Sequence, residues 1–321
     1  MEGRQMKNIL ITGASGLIGR ELTGILLAKG YNIIATDEQT SPFVGQPNFS
    51  FTQCSIVDKN VIQGLIDSNK IDMLVHLACT VDNDFSNMIT DRELDISKAV
   101  DKYLYKAADA AGIPDVIIAS TYQVYAPVKT REPIRETNEE KPQNFYGKMK
   151  LDSEKALVTT LKKSNTKFVI ARLCPIYTRS YIDNLHSRIY DPKDMCAFLY
   201  GSGDYGFSFC CLYNFVDFVL GILNIGQGLN YPGIYNVCDT KPILAKDIIE
   251  FERTVHHLGP VMQRSGGSDA VKSAFALLGG SKNAKSDYRF LDLSTVTSNV
   301  SFDNTKGQRV STFRWKLGNT R

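Results

Sequence analysis

The run Asn8-Ile9-Leu10-Ile11 is nearly all apolar and too short for a helix, so it predicts a strand buried on both faces. From Leu17 to Lys29 the apolar positions recur at helical spacing, and Gly30 supplies a C-terminal cap. The same grammar then repeats. Strands are predicted over Tyr31 to Thr36, Ile71 to Leu77, Val116 to Ala119 and Phe168 to Arg172. Helices are predicted over Asn60 to Ser68, Leu94 to Ala111 and Tyr146 to Lys162, the second closed by Gly112 and Pro114. Strict alternation of this kind predicts an α/β fold, a doubly wound parallel sheet with helices on both faces. After about Cys174 the rhythm breaks, and Gly, Tyr and Phe become dense from Tyr200 to Asn236. A smaller C-terminal lobe is expected there. No Pro/Ser-rich linker marks the boundary, so the two parts are expected to interleave. The expected division is 1–173 and 174–321, with part of about 205–240 returning to the first domain. Gly266-Gly267 and the stretch Gly279 to Lys285 read as mobile loops.

Composition narrows the function classes. Of 321 residues, 43% are hydrophobic and 22% charged, which is ordinary for a globular chain. No uncharged apolar stretch approaches the roughly 18 residues of a membrane span, so no membrane partner is expected. The net charge of +3 is small and its lysines and arginines are dispersed, which argues against a nucleic-acid partner. The seven cysteines include the adjacent Cys210-Cys211 but no C-x-x-C pair. Neither a zinc pattern nor a disulfide framework follows, and no metal is expected. Free thiols and a short polar N-terminus, with no apparent leader, make the cytoplasm the expected location.

The first strand runs directly into Thr12-Gly13-Ala14-Ser15-Gly16-Leu17-Ile18-Gly19, which opens the first helix. Glycine at such a turn lets a backbone approach a pyrophosphate closely, and the helix N-terminus offers oriented N–H donors. By itself the three-glycine pattern is weak; in strand-turn-helix context it points to a dinucleotide in a Rossmann-type sheet. Asp37 stands at the end of the second strand, 18 residues after Gly19. A carboxylate there can accept from ribose hydroxyls and repel a 2′-phosphate, which favours NAD over NADP.

Tyr146-Gly147-Lys148-Met149-Lys150 places Tyr146 and Lys150 at i, i+4, on one face of a helix. An ammonium nearby favours phenolate, so Lys150 is expected to lower the Tyr146 pKa and let the phenol trade a proton with a hydroxyl or carbonyl. Tyr125 and Lys129 match the same spacing, but Pro127 between them breaks a helix, so Tyr146 is the better candidate. Ser120-Thr121-Tyr122-Gln123 follows a predicted strand, where an open α/β sheet binds its ligands. A hydroxyl there can steady a substrate oxygen.

Together, Gly13/Gly16/Gly19, Val75-His76-Leu77-Ala78, Ser120 to Tyr125 and Tyr146 to Lys150 resemble the nucleotide-sugar epimerase/dehydratase family, which are extended short-chain dehydrogenases/reductases. The resemblance implies an NAD-dependent enzyme with Tyr146, Lys150 and Thr121 as catalytic residues. By the same resemblance Gly13, Ser15, Gly16, Leu17, Ile18, Gly19, Asp37, Asp58, Leu77 and Ala78 face the cofactor, together with Tyr146 and Lys150. Asp58 stands in for a family acid whose own position is Ser55, and Ser97 stands where the family has a helix Asn. His76 reads as a packed strand-end residue. Cys210-Cys211 occupy the place of a family Arg-Asp in which the arginine grips the substrate's pyrophosphate. The acids that 4,6-dehydratases place after the catalytic Thr are Tyr122-Gln123 here, which disfavours dehydration. Thr121, Tyr122, Arg179, His186, Arg188 and Tyr205 are the candidate substrate contacts. The implied activity is nucleotide-sugar epimerisation with transient transfer to NAD, and the alternative is a net dehydrogenase or ketoreductase. A non-catalytic dinucleotide sensor is the third reading, disfavoured because it has no need of the Tyr/Lys/Thr set. A homodimer is also implied, through the two long helices and Leu104, Ala107, Ala108, Ala156 and Leu157, positions that equally suit core packing.

Overall fold

The computed structural model describes residues 7–79, 90–126, 132–191, 196–225, 231–256, 258–264 and 300–321. The glycine stretches at 266–267 and 279–285 lie outside the described residues, as do Pro127 and Lys129.

Six strands and four helices alternate through the first half: β1 (Asn8–Thr12), α1 (Leu17–Ala28), β2 (Asn32–Asp37), β3 (Phe49–Gln53), α2 (Lys59–Asp67), β4 (Met73–His76), α3 (Asp91–Ala110), β5 (Asp115–Thr121), α4 (Phe145–Leu161) and β6 (Lys167–Leu173). They form one seven-stranded sheet in the order β3, β2, β1, β4, β5, β6 and a final strand, Gly233–Val237. All neighbours are parallel, with Thr12 level with His76 and Thr121 level with Leu173. The strand order reverses between β1 and β4, and in open α/β sheets that reversal opens a crevice at the strands' carboxyl ends.

Side chains alternate across each strand. Ile9 and Ile11 enter one core with Leu22 and Leu26 of α1 and with the helix Leu212–Leu223, while Leu10 enters the opposite core with α2, α3 and α4. Leu104, Ala107, Ala108 and Leu157 are buried in that second core, with Ala156 packed against it. The apolar positions named for a dimer face are therefore used inside the protomer. The apolar side chains these helices leave outside are Ile96, Phe145 and Val158.

Two features depart from the hydrophobic pattern. β3 reads Phe-Ser-Phe-Thr-Gln, an edge strand whose residues are half-buried or exposed, so no continuous apolar run announces it. Beyond β6 the chain forms short pairings: Ile176–Tyr177 with Cys210–Cys211, Gly206–Phe207 with Ile243–Leu244, and a three-stranded sheet of Tyr190–Asp191, Cys196–Tyr200 and Val261–Arg264. Gly233–Val237 then returns to the main sheet beside β6. Among the described residues no helix is long and apolar enough to cross a membrane.

Candidate active site

The three glycines of the first turn do different work. Gly13 has φ +74°, and a Cβ there would lie 2.6 Å from the Ala78 nitrogen; one on Gly19 would lie 2.0 Å from the Gly13 carbonyl oxygen. Both are absent side chains that let α1 pack on the loop and on the end of β4. Gly16 is different: a Cβ would meet Gly13 O at 3.6 Å, an ordinary contact. Gly16 is the N-cap of α1 and makes no side-chain capping bond. The first-turn N–H groups at Leu17 and Ile18 have no intrahelical acceptor and suit an anion. Asp37 ties the turn to β2, accepting from Ser15 N and Gln39 N, both at 2.9 Å. Each of its oxygens keeps a second lone pair for a ribose hydroxyl. The Ser15 hydroxyl donates to Gln39 O. These residues fit a dinucleotide: a cradle with room at Gly16, bare donors behind it and an acid at its rim. Asp58 lies further out, exposed, as the N-cap of α2 accepting from Val61 N at 3.2 Å, while Ser55 bonds Glu38.

α4 delivers the tyrosine and lysine. Asn144 caps this helix by accepting from Gly147 N at 2.6 Å. A Cβ on Gly147 would fall 2.6 Å from Gln123 O, so the first turn of α4 lies directly on the 3-10 turn Tyr122–Val124 that follows β5. That contact sets Tyr146 beside the end of β5, where Thr121 is buried and its hydroxyl accepts from Gln123 N. Gly147 was not among the sequence candidates; only the close approach of two distant segments marks it. The Lys150 ammonium stands 5.8 Å from the Tyr146 ring centre. Burial pushes the Tyr146 phenol up, and Lys150 draws it only part of the way back. The lowered value expected from the i, i+4 spacing is thus corrected: desolvation outweighs the lysine. Burial also works against the charge on Lys150, but Tyr146, Cys79, Asp101 and Glu154 together raise it, so it stays an ammonium.

Ala78 and Cys79 join the two halves of the site. Ala78 abuts Gly13, and the Cys79 thiol reaches Met149 Sδ at 3.9 Å, between Tyr146 and Lys150 in sequence. Leu77 N donates to Thr12 O on the same edge. His76 is packed, as expected, but it is also engaged: Nδ1 meets Thr12 Oγ1 at 2.7 Å and Nε2 meets Asp101 Oδ1 at 3.2 Å. Asp101 was not foreseen. It reads as a polar helix residue, and only the packing of α3 reveals it as a buried carboxylate. The competing tyrosine, Tyr125, is buried, donates to Asn236 Oδ1 and lies under the Arg172 guanidinium. That side chain belongs to the core.

The candidate substrate contacts separate into groups. Arg179 is exposed, and its N–H donates to Arg321 O. His186 pairs with Glu252 at 2.7 Å and stacks on Tyr190. Arg188 and Tyr205 share the ring of Phe207, at 6.0 and 5.7 Å. Burial pushes the Tyr205 phenol up to about 12. Tyr122 packs edge-on against Phe302 at 5.6 Å. Cys210 and Cys211 are fully buried, and Cys211 N donates to Asp239. Among the described residues no cluster of His, Cys, Asp or Glu could hold a metal ion.

Residues 9–238 match the family model described as the NAD dependent epimerase/dehydratase family. The chain belongs to this family. Among similar proteins, UDP-glucose 4-epimerase of Lacticaseibacillus casei is 28% identical over 179 residues, 51% of this chain and 50% of that protein. The chain thus aligns with half the length of that relative. dTDP-D-glucose 4,6-dehydratase of Mus musculus is 25% identical over 268 residues, 77% of this chain and 74% of that protein. The fold resembles the UDP-glucuronic acid 4-epimerase of Bacillus cereus, solved in complex with UDP-glucuronic acid and NAD: TM-score 0.70, 18% identity, 97% of this chain and 95% of that one. The NAD-dependent epimerase/dehydratase family thus accounts for the sheet order and for a glycine turn shaped to a dinucleotide.

Proposed function

We propose that this member of the family is an epimerase acting on a nucleotide-sugar, with Tyr146 as its acid/base. One observation carries the reading. The adjacent residues Ala78 and Cys79 touch the glycine turn and the Tyr146–Lys150 helix respectively, which supports a dinucleotide on the turn being within reach of the phenol. Held on the glycine turn and by Asp37, NAD would supply reversible hydride acceptance at the substrate's carbinol carbon. The residues supply the rest. Tyr146 takes the hydroxyl proton and gives it back, while the Thr121 hydroxyl steadies the same oxygen. Lys150 holds its charge beside the phenol and favours phenolate at the moment of transfer. The absence of an acid at Tyr122-Gln123 supports epimerisation over elimination of water, although the relatives include a dehydratase.

A net dehydrogenase is the second reading. It is favoured by Cys210 and Cys211, buried thiols where an arginine grip on a pyrophosphate would be expected. Denaturing the purified protein and assaying the supernatant for NAD(H), alongside a screen of UDP-, GDP- and dTDP-sugars, separates the two. Released cofactor with sugar interconversion and no net change at 340 nm is the expected result. A protein that purifies empty and turns over substrate in step with NADH would sink the epimerase in favour of the dehydrogenase.

A further inference from the structure

Behind the tyrosine and lysine runs a buried polar chain. It starts at Thr12, which ends β1, and passes through His76, which ends β4, to Asp101 on α3. From there it reaches Ser153 on α4, whose hydroxyl also meets the Tyr105 hydroxyl at 2.7 Å. Asp101 is 7% exposed, and a buried carboxylate is costly unless something holds its charge. The bonding fixes where the protons sit. Thr12 Oγ1 accepts from Ala78 N at 3.4 Å, and its own proton goes to His76 Nδ1, 2.7 Å away. His76 is then the neutral tautomer with its proton on Nε2, which donates to Asp101. It steadies the carboxylate without cancelling the charge.

That charge acts on Lys150. Ser153, which bonds Asp101, stands three residues after Lys150 and so on the same side of α4. The groups that can hold the ammonium come from three directions: Tyr146 and Glu154 on its own helix, Cys79 just after β4, and Asp101 on α3. As phenol and thiol, Tyr146 and Cys79 carry no charge. Glu154 is a carboxylate, but Arg172 bonds both its oxygens and Ser120 donates to it. Of the four, Asp101 is the ionised group whose bonded partners are neutral. We infer that Asp101 is a positioning residue for the proton transfer at Tyr146: it is the counter-charge that keeps Lys150 an ammonium in a buried site. The inference rests on the reading of Tyr146 as the acid/base. With Asp101 neutral, burial would act on Lys150 with far less to oppose it. The ammonium, and with it the pull towards phenolate, would then be lost at a lower pH.

The charge on Lys150 can be read without substrate, by competitive acetylation of the whole protein with acetic anhydride from pH 7 to 11 and mass spectrometry of the Lys150 peptide. Asp101→Asn keeps the shape and an acceptor for His76 Nε2 but removes the charge. It should lower the midpoint of Lys150 labelling by about one pH unit or more, while Asp101→Glu keeps most of the wild-type value. In steady-state turnover of UDP-glucose and UDP-glucuronic acid, Asp101→Asn should lower kcat about tenfold with KM nearly unchanged. Its kcat should also fall away at a lower alkaline pH than that of wild type. A wild-type Lys150 midpoint in Asp101→Asn overturns the inference, as does a lowered midpoint with an unchanged pH profile of kcat. If Asp101→Asn does not fold, or Lys150 resists the reagent, Lys150→Met decides. With the ammonium gone, Asp101 is a buried anion whose folded-state pKa rises above the unfolded value, so protonation relieves it as pH falls. The stability deficit of Lys150→Met against wild type should therefore narrow from pH 7 to 4.5 in urea melts, and a deficit independent of pH overturns the inference. Tyr146→Phe with wild-type turnover would sink the acid/base reading and leave the pairing of Asp101 with Lys150 standing. An inactive Tyr146→Phe beside an unmoved Lys150 midpoint would do the reverse.

Discussion

At the scale of single residues, the sequence offered candidates for the chemistry but not their tuning. Tyr146 and Lys150 stood out as candidates because spacing on a helix is a local property, and the hydroxyls of Ser120 and Thr121 because they follow a strand, Thr121 being singled out by the family resemblance. The net upward push on Tyr146 did not stand out, because it depends on what the fold wraps around the phenol. Asp101 was hidden for the same reason: its contact with His76 crosses from α3 to β4. Replacing Tyr146 with Phe removes the proton carrier but almost no volume. Turnover should fall by about 10²–10⁴-fold while NAD stays bound, as measured by steady-state kinetics and by the cofactor released on denaturation. Retained turnover would mean that another group moves the proton. Asp37 gives a second prediction. Its carboxylate is fixed by Ser15 N and Gln39 N at the rim of the cradle. Asp37→Ala should narrow the preference for NAD over NADP by about 10–100-fold in paired titrations, the weight of one or two bonds to a charged group plus lost repulsion. An unchanged ratio would place the ribose elsewhere.

At the scale of elements, periodicity foretold the alternation of strands and helices and erred where burial was partial. β3 escaped notice because an edge strand needs only one protected face. The helix starting at Tyr146 was found, but not that Gly147 lets it seat on the turn after β5, since that fit exists only between segments. The glycine turn invites a sharper test, because its glycines are not equivalent. Gly19→Ala would drive a methyl to within 2.0 Å of the Gly13 carbonyl oxygen. The start of α1 would have to move, costing about 1–3 kcal/mol or more, visible in urea unfolding. Gly16→Ala meets only an ordinary contact at 3.6 Å, so unfolding should be nearly normal. Its methyl instead enters the approach to the bare first turn of α1, and NAD affinity should drop at least about tenfold, roughly one lost charge-assisted bond. If Gly16→Ala bound NAD normally, the pyrophosphate would not be seated on this turn.

At the scale of the whole molecule, the joints between the two halves of the chain could not be read from the sequence. One of them is Asp239, just after the last strand of the main sheet. It accepts from the Tyr177 hydroxyl at 2.6 Å and from Cys211 N and Asn214 Nδ2 at 2.8 Å. Asn214 continues the tie, taking Trp315 N and donating to Trp315 O near the chain's end. Such a joint draws on four segments far apart in sequence, so no local pattern announces it. Burial pushes the Asp239 carboxyl up to about 6, despite the bonds that favour its anion. The folded protein therefore holds this proton more tightly than the unfolded chain does, whose carboxyl titrates near 3.9. Acidification from about 6 towards 4 adds stability through this one group, and above about 6 that contribution is absent. Asp239→Asn cannot titrate, so its stability deficit relative to wild type should widen as pH falls from 7 to 4.5, in parallel urea melts at each pH. Other carboxylates titrate in both proteins and cancel in the difference. A deficit that narrowed on acidification would show that the hydrogen bonds to Asp239 outweigh its burial, and that the joint is held by its charge.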